Sequence, residues 1–393
     1  MKIRSVPFKA LGGLFEQDDV AATTKVLEGV SEPEGSFFPL PEEIDFQKAL
    51  AAHEEASHAV AVNSCGTALD LCMMVLSIKA GDEAITTPLT FVCTATCAAA
   101  RGAKVVFADI DPVTLNLDPE KVRAKITDKT KVIIPVHYAG LACDIDAFEK
   151  ISKETGIPVV FDAAHAVATR YKGKGIGGRG TASCYSFQSN KNITTLGEGG
   201  AVTTNDADFA EQVRQRKTFG YVYGGPAMRV VTIGFNYRMT KPQYAAGLVQ
   251  LAKTDRIIGG RQERMVKMGE LLLDSDELIL PAGHGAEHGS HLYAVRLDTD
   301  KVSFDTEELR NHLKEKYQVG TVKNYSAVWD WEAFEDIDHD RSDCSIAEKA
   351  CHQVFCLPIF PDSSQEDLDY VAWALKQAIQ TCPASKMEKS THS

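Results

Sequence analysis

Short apolar runs alternate with helix-length stretches over residues 58–205, and this alternation is the feature that most constrains the fold. The apolar runs are predicted as strands at 58–62, 83–87, 104–108, 131–136, 158–162, 182–187 and 200–204. Helices are predicted at 67–79, 92–101, 119–125 and 145–155. Such strands, joined by helices, are typical of an α/β fold with a mostly parallel central sheet sandwiched by helices. Ligands of such a sheet bind beyond the carboxyl ends of its strands.

A second, smaller unit is predicted toward the carboxyl terminus. It begins with a polar helix over 256–273 and continues with an apolar segment at 291–297. A helix at 306–316, a strand-like segment at 319–325 and a closing helix at 365–379 follow. We therefore expect a large domain at 1–255, with an N-terminal arm, and a small α+β domain at 256–393.

Composition narrows the class of protein further. The chain has 393 residues, and its 42 basic and 54 acidic side chains give a net charge of −12. This balance weighs against a nucleic-acid-binding protein, which usually carries basic excess. No apolar run reaches the length of a membrane span, and the N-terminus lacks the apolar core of a signal peptide. We expect a cytoplasmic protein.

The cysteines do not indicate a metal site. There are ten of them, and no two form a CxxC pair. Cys93 and Cys97 could share one helix face, but two thiols are too few for a zinc site. We expect buried thiols in a reducing compartment and no bound metal.

Asp162 and Lys191 are the residues that most strongly indicate chemistry. Asp162 ends an apolar strand, and a buried carboxylate is costly unless it meets a cation such as a protonated ring nitrogen. The alternative is an ordinary cap for the following helix. Lys191 lies in a loop of small residues, where a desolvated amine would form a Schiff base with a carbonyl. The alternative is a surface lysine.

Taken together, these residues match what bound pyridoxal phosphate needs. The ring nitrogen would pair with Asp162, and the aldehyde would join Lys191. The phosphate would meet the hydroxyls of Ser186 and Thr67 and the amides at a helix start.

Six longer motifs accompany these residues. They are SCGTALDL (64–71), GDEAITTPLTFVCTAT (81–96), FADIDPVTLNLD (107–118), TKVIIPVHYAG (130–140), DAAHA (162–166) and SFQSNKNITTLGEGG (186–200). On these motifs the chain resembles the DegT/DnrJ/EryC1/StrS family of sugar aminotransferases, a branch of the fold-type I pyridoxal-phosphate enzymes. The resemblance covers most of the chain.

The resemblance implies a role for eight residues. Lys191 would form the Schiff base, Asp162 would hold the ring nitrogen protonated, and His165 would contact the ring's phenolic oxygen. The cofactor contacts would be completed by Gly66, Thr67, Phe91, Ser186 and Asn236. Within that set, Phe91 would stack on the ring and Asn236 would reach the phosphate of the partner subunit, which implies a homodimer. Without the family, Phe91 could be core, Thr67 a helix residue and Asn236 a turn former.

The resemblance also implies the reaction. Glutamate or glutamine would give its amino group to the cofactor, leaving pyridoxamine phosphate, and a ketosugar or ketocyclitol would then accept it in a ping-pong sequence. One alternative is a sugar dehydratase of the same fold, although such relatives replace the lysine with histidine. Another is a non-catalytic regulatory homologue, which would be expected to lose these residues.

Some segments depart from the family pattern and are expected to face the acceptor. They are 64–67, 217–220 and 323–325. His137 follows a strand and either approaches the substrate or has a structural role. A GxGxxG spacing at Gly173, Gly175 and Gly178 is followed by a strand rather than a helix, so we interpret it as a turn.

Overall fold

The computed structural model describes residues 1–38, 41–222, 227–283 and 285–384. Its helices are α1 (Gln17–Val30), α2 (Glu42–His53), α3 (Cys65–Val75), α4 (Cys93–Ala99), α5 (Pro119–Lys125), α6 (Ile145–Thr155), α7 (Ala207–Arg216), α8 (Lys241–Ala252), α9 (Thr254–Leu272), α10 (Thr306–Tyr317), α11 (Ser345–Gln353) and α12 (Gln365–Thr381). Its strands are β1 (His58–Val62), β2 (Glu83–Thr86), β3 (Lys104–Phe107), β4 (Thr130–Ile134), β5 (Val160–Asp162), β6 (Arg170–Tyr171), β7 (Lys174–Gly175), β8 (Ala182–Ser186), β9 (Gly200–Thr204), β10 (Tyr221–Val222), β11 (Arg229–Val230), β12 (Leu278–Ile279), β13 (Tyr293–Leu297), β14 (His339–Asp340) and β15 (Val354–Leu357).

The central sheet has the strand order β1-β9-β8-β5-β4-β2-β3-β14. Two four-stranded ladders make up its halves. Parallel bridges from Ile133 to Val159 and from Val136 to Asp162 join β4 to β5 and connect the halves. Only β9 runs antiparallel to its neighbours in this sheet, so the predicted mostly parallel arrangement is confirmed.

Successive side chains of the strands face opposite layers of helices. Ala61, Ile133 and Phe161 pack in one core with residues of α2, α6 and α8. Their neighbours in the strands, such as Val60 and Val132, pack in another core with α3, α4 and α7. Because side chains alternate along a strand, one apolar run can serve both faces, and this explains why the runs are almost continuously apolar.

The C-terminal part of the chain forms its own antiparallel sheet, with the order β12-β13-β15. Helices α9, α10 and α12 pack on it in a separate core. The predicted strand-like segment at 319–325 forms no strand. It makes only single bridges, Val319 to Val6 and Val322 to Cys356. The C-terminal part also adds β14 to the central sheet, beside β3.

Helix boundaries differ from the predictions mainly where a side chain caps the helix. Helix α3 begins at Cys65 rather than at 67, because the Ser64 hydroxyl accepts a hydrogen bond from the Thr67 amide. It ends at Val75, and Ser77 just beyond it has a positive φ that stops the helix. The GxGxxG segment begins in the turn of the β6–β7 hairpin and continues through further turns at 176–180, so its interpretation as a turn is confirmed. Within the described ranges no helix is both long and apolar enough to cross a membrane.

Candidate active site

A cavity of about 450 Å³ opens at the carboxyl edge of the central sheet. Six of the eight residues singled out from the sequence line it: Gly66, Phe91, Asp162, His165, Ser186 and Lys191. These residues come from four separate stretches of the chain, which the strand ends and their loops bring to one place. Thr67 and Asn236 do not line it.

Asp162 is the last residue of β5 and is almost completely buried, with 2% of its surface exposed. Thr94 Oγ1 donates a hydrogen bond to its Oδ2 at 2.7 Å, and the Ala164 amide donates to its Oδ1 at 3.0 Å. The Cys65 thiol lies 3.8 Å from the same Oδ1. Burial raises the pKa of Asp162 more than these donors and the charge of Lys191 lower it. A cationic partner in the cavity would therefore favour the ionised carboxylate.

Lys191 lies in the loop between β8 and β9. Burial lowers the pKa of its amine, and the charge of Asp162 opposes this effect only in part. The lysine is nevertheless accessible from the cavity that it lines. A lysine with a depressed pKa is more often present as the free amine, which is the nucleophilic form.

The N-terminal arm holds the Lys191 loop from outside. The Gly12 amide donates to Ser189 O at 2.9 Å. A Cβ atom on Gly12 would lie 2.0 Å from Asn190 O, so a glycine is required for this close approach. Arg261, also buried, donates to Gly12 O and to the carbonyl of His291. The arm and the C-terminal part thus fix the loop together.

The first turn of α3 forms one end of the cavity through Ser64, Cys65 and Gly66. The amides of a first helical turn lack acceptors within the helix and are suited to bind an anion. The Thr67 hydroxyl donates to Asn63 Oδ1 at 2.8 Å and lies within hydrogen-bond distance of Ser64. It is therefore engaged in capping the helix.

Phe91, His165 and Tyr325 form an aromatic wall. Phe91 is 56% exposed, and its ring meets Tyr325 edge-on with centroids 6.1 Å apart. His165 Nε2 lies 3.0 Å from the Tyr325 hydroxyl. Tyr325 belongs to the segment 323–325, which we expected to face the acceptor, and both it and Asn324 line the cavity.

Two other residues lie away from the cavity. His137 is completely buried and stacks on Phe161 with ring centroids 5.0 Å apart, so of the two roles left open it has the structural one. Lys217, from the segment 217–220, is buried in an ion pair with Glu43 and does not face the cavity. The amine of Lys217 is thus held by Glu43, and the expectation that the segment 217–220 faces the acceptor stays a prediction.

Asn236 is exposed on the surface and pairs with Thr218 through a single antiparallel bridge. Its expected contact with a partner subunit stays a prediction.

Sequence reasoning missed several residues of the cavity. They are Cys93, Gln188, Asn190 and Glu198, to which no role was assigned, together with Thr94 behind Asp162. Glu198 and Cys93 lie within motifs that were already recognised in the sequence. Their membership of these motifs was the available indication that they lie near Lys191 and Asp162. Thr94 could have been found as the residue one helical turn after Phe91 and Thr90.

Comparison with known proteins gives consistent matches. The family model described as the DegT/DnrJ/EryC1/StrS aminotransferase family matches residues 20–376. The spore coat polysaccharide biosynthesis protein SpsC of Bacillus subtilis (strain 168) is 35% identical over 378 residues, which cover 93% of this chain and 96% of SpsC.

Solved structures give similar matches. DesV of S. venezuelae, in complex with a ketimine intermediate, is 30% identical with a TM-score of 0.83, covering 91% of this chain and 93% of DesV. The 3-amino-5-hydroxybenzoic acid synthase is 28% identical with a TM-score of 0.86, covering 96% and 100%.

The fold and these matches define a transaminase with the fold of the fold-type I pyridoxal-phosphate transferases. The chain belongs to the DegT/DnrJ/EryC1/StrS aminotransferase family, whose aminotransferases depend on pyridoxal phosphate.

Proposed function

We propose that this protein uses pyridoxal 5'-phosphate to move an amino group from glutamate or glutamine to a keto group of a sugar or cyclitol. The observation that carries the proposal is the placement of Lys191 and Asp162 in one cavity at the carboxyl edge of the sheet. The residues present suit the cofactor. The buried carboxylate of Asp162 suits a cationic partner, and the amine of Lys191, whose pKa is lowered, lines the same cavity. The N-terminal amides of α3 suit a phosphate.

Each of these residues has a separate task. Asp162 would hold a proton on the ring nitrogen, while Gly66 and Ser186 would bind the phosphate. Phe91 would pack on the ring face. When bound, pyridoxal phosphate supplies an aldehyde and a ring that stabilises negative charge at the α carbon of the amino donor.

Lys191 would act twice. Its amine would first form the Schiff base that holds the cofactor. After the amino donor displaces it, Lys191 Nζ would serve as the base that removes the proton from the donor's α carbon. The same amine would return a proton when the acceptor is aminated, so that donor and acceptor react in turn at one site.

Three further features belong to the same proposal. Asn236 would reach the phosphate in the partner subunit of a homodimer, and its exposure is compatible with that role. The acceptor would be a ketosugar, nucleotide-linked in the first instance, in line with the naming of SpsC for polysaccharide biosynthesis. A ketocyclitol is the second class of acceptor, in line with the synthase of an amino-substituted carbocyclic acid among the structural neighbours. The enzyme would act in the cytoplasm.

Covalent labelling tests the proposal. The purified protein is reconstituted with pyridoxal phosphate, reduced with borohydride, digested, and analysed by mass spectrometry. We expect the cofactor on the peptide that contains Lys191, and no label and no amino transfer in Lys191→Ala. Lys174→Ala, an exposed lysine in the β6–β7 hairpin, is the matched control and should behave as wild type. Label on another lysine, or full activity of Lys191→Ala, would refute the proposal.

Half-reactions identify the substrates. Glutamate and glutamine are each added to the reconstituted protein, and the corresponding keto acid is measured. The aminated enzyme is then offered a panel of nucleotide-linked ketosugars, free ketosugars and inososes. If the enzyme accepts the amino group of the donor but aminates no compound of the panel, both classes of acceptor are excluded.

A further inference from the structure

Tyr325 brings a hydroxyl from the C-terminal part of the chain to the wall of the cavity. Its ring is held on two sides. His165 stacks on it with centroids 6.0 Å apart and planes 14° apart, and Phe91 meets it edge-on. The hydroxyl oxygen lies 3.0 Å from His165 Nε2, and the side chain of Asn324 also forms a hydrogen bond with it.

The hydrogen bonds of His165 determine whether His165 Nε2 or the Tyr325 hydroxyl is the donor in the bond between them. The Ala139 amide donates to His165 Nδ1 at 3.3 Å, so Nδ1 is an acceptor and bears no proton. A neutral imidazole has one N–H group, which must then be at Nε2. Nε2 therefore donates to the Tyr325 oxygen. Against the effect of burial, the Asn324 side chain lowers the pKa of Tyr325, as a donor to the same oxygen does, so the hydroxyl proton is left to point into the cavity.

Burial keeps both groups neutral, and nearby charges act in the same direction. Burial, reinforced by the positive charge of Lys191, holds the pKa of His165 well below its ordinary value. Burial also raises the pKa of Tyr325, so its hydroxyl keeps its proton. The His291 ring, 4.6 Å from His165 between centroids, is buried and has a lowered pKa for the same reason. The cavity wall therefore presents a phenol proton and no imidazole proton.

We infer that the Tyr325 hydroxyl donates a hydrogen bond to the phenolic oxygen of pyridoxal phosphate, and that His165 is the positioning residue that orients it. This inference rests on the proposed function. Asp162 takes the ring nitrogen and Lys191 the aldehyde, while Gly66 and Ser186 take the phosphate. The phenolic oxygen lies next to the aldehyde on the flank away from the phosphate. An anionic oxygen there needs a donor with a free proton, which Tyr325 has and His165 lacks.

The bond would have a measurable electrostatic effect. A donor to the phenolic oxygen stabilises its anionic form, and so lowers the affinity of the neighbouring lysine–cofactor nitrogen for its proton. Removing the donor should raise the pKa at which the Lys191-bound cofactor loses that proton. For a hydrogen bond to a charged group we expect a rise of about one pH unit or more.

The experiment is an absorbance titration of the reconstituted protein as a function of pH. Tyr325→Phe should shift the midpoint upward by about one pH unit or more. Tyr370→Phe is the matched control, because its hydroxyl is also buried but donates to Tyr317 O in the C-terminal core. His165→Leu should shift the midpoint in the same direction by less, and the double variant should shift it no further than Tyr325→Phe alone.

Affinity for an altered cofactor gives a second readout, which also serves if Tyr325→Phe binds too little cofactor for titration. Tyr325→Phe should bind pyridoxal phosphate more weakly than wild type by about tenfold or more. It should bind 3-deoxypyridoxal phosphate, which lacks the phenolic oxygen, as tightly as wild type does.

The outcomes separate this inference from the proposed function. Wild-type protein that takes up no cofactor, or carries no label on Lys191, refutes the proposed function. If Lys191 is labelled but Tyr325→Phe titrates as wild type, or loses equal affinity for both cofactors, only the present inference is wrong. A large shift of the titration midpoint in His165→Leu, with no shift in Tyr325→Phe, would assign the contact to His165. That result would also overturn the inference about Tyr325.

Discussion

Replacing Asp162 with asparagine should stabilise the cofactor-free protein and weaken its binding of pyridoxal phosphate. The carboxylate is 2% exposed, and burial raises its pKa despite the hydrogen bonds from Thr94 and Ala164 and the charge of Lys191. The ionised form is thus less favourable in the folded protein than in the unfolded chain. Asparagine keeps an oxygen for the Ala164 amide and carries no charge.

The sign and size of the effect follow from proton linkage. The folded pKa of Asp162 lies above the ordinary aspartate pKa of 3.8, so the folded state retains this proton to a higher pH than the unfolded state does. Stability is therefore lost as the pH rises through this window and stays low above it. Each pH unit by which the pKa rises costs about 1.4 kcal/mol. We expect Asp162→Asn to gain about 1–3 kcal/mol near pH 7, a gain that shrinks toward acid pH.

Urea unfolding of the cofactor-free proteins, repeated between about pH 5 and about pH 8, measures this gain. Asp111→Asn is the control of opposite sign. Burial favours a higher pKa of Asp111, but hydrogen bonds from Thr114 and Val113 together outweigh the effect of burial, so that the pKa is lowered. Asp111→Asn should therefore lose stability near neutral pH. Added pyridoxal phosphate should raise the melting temperature of wild type more than that of Asp162→Asn. The reasoning fails if Asp162→Asn is less stable than wild type near pH 7, or if its gain does not change with pH.

Two further predictions concern the supports of the site. Gly12→Ala places a Cβ 2.0 Å from Asn190 O and must displace the Lys191 loop, so kcat/KM for amino transfer should fall by about a hundredfold. Gly29→Ala, in α1 with no atom near the added methyl, should keep full activity and gain about 0.5–1 kcal/mol, and equal behaviour of the two variants would contradict the proposed strain. Glu43→Gln leaves the buried Lys217 amine without its countercharge and should cost about 3–5 kcal/mol in urea unfolding. A loss below about 1 kcal/mol would mean that water replaces Glu43.

The parts of the fold that the sequence predicts are those set by local patterns. The apolar runs became strands at nearly the predicted positions, because each must bury side chains on both faces of the sheet. Helices α5 and α6 have the predicted bounds, since Asp118 and Asp144 cap their first turns. The proximity of Asp162 and Lys191 followed from the rule that parallel strands end at one edge.

The parts that it does not predict depend on contacts between distant segments. Tyr325 reaches His165 across 160 residues of sequence, and the 319–325 segment makes bridges rather than a strand. Gly12 is required because the arm crosses the Lys191 loop, and no local pattern encodes that crossing. The ion pair of Lys217 was not predicted, because its partner Glu43 lies 174 residues away.

The strand β14 has a consequence for how the protein is made. It supplies the outer neighbour of β3, whose sequence KVVF would otherwise present open backbone groups at an apolar border. A nascent chain therefore lacks the outer neighbour of β3 from the synthesis of residues 104–107 until residues 339–340 follow. Unpaired strand edges of this kind favour self-association of incompletely folded chains.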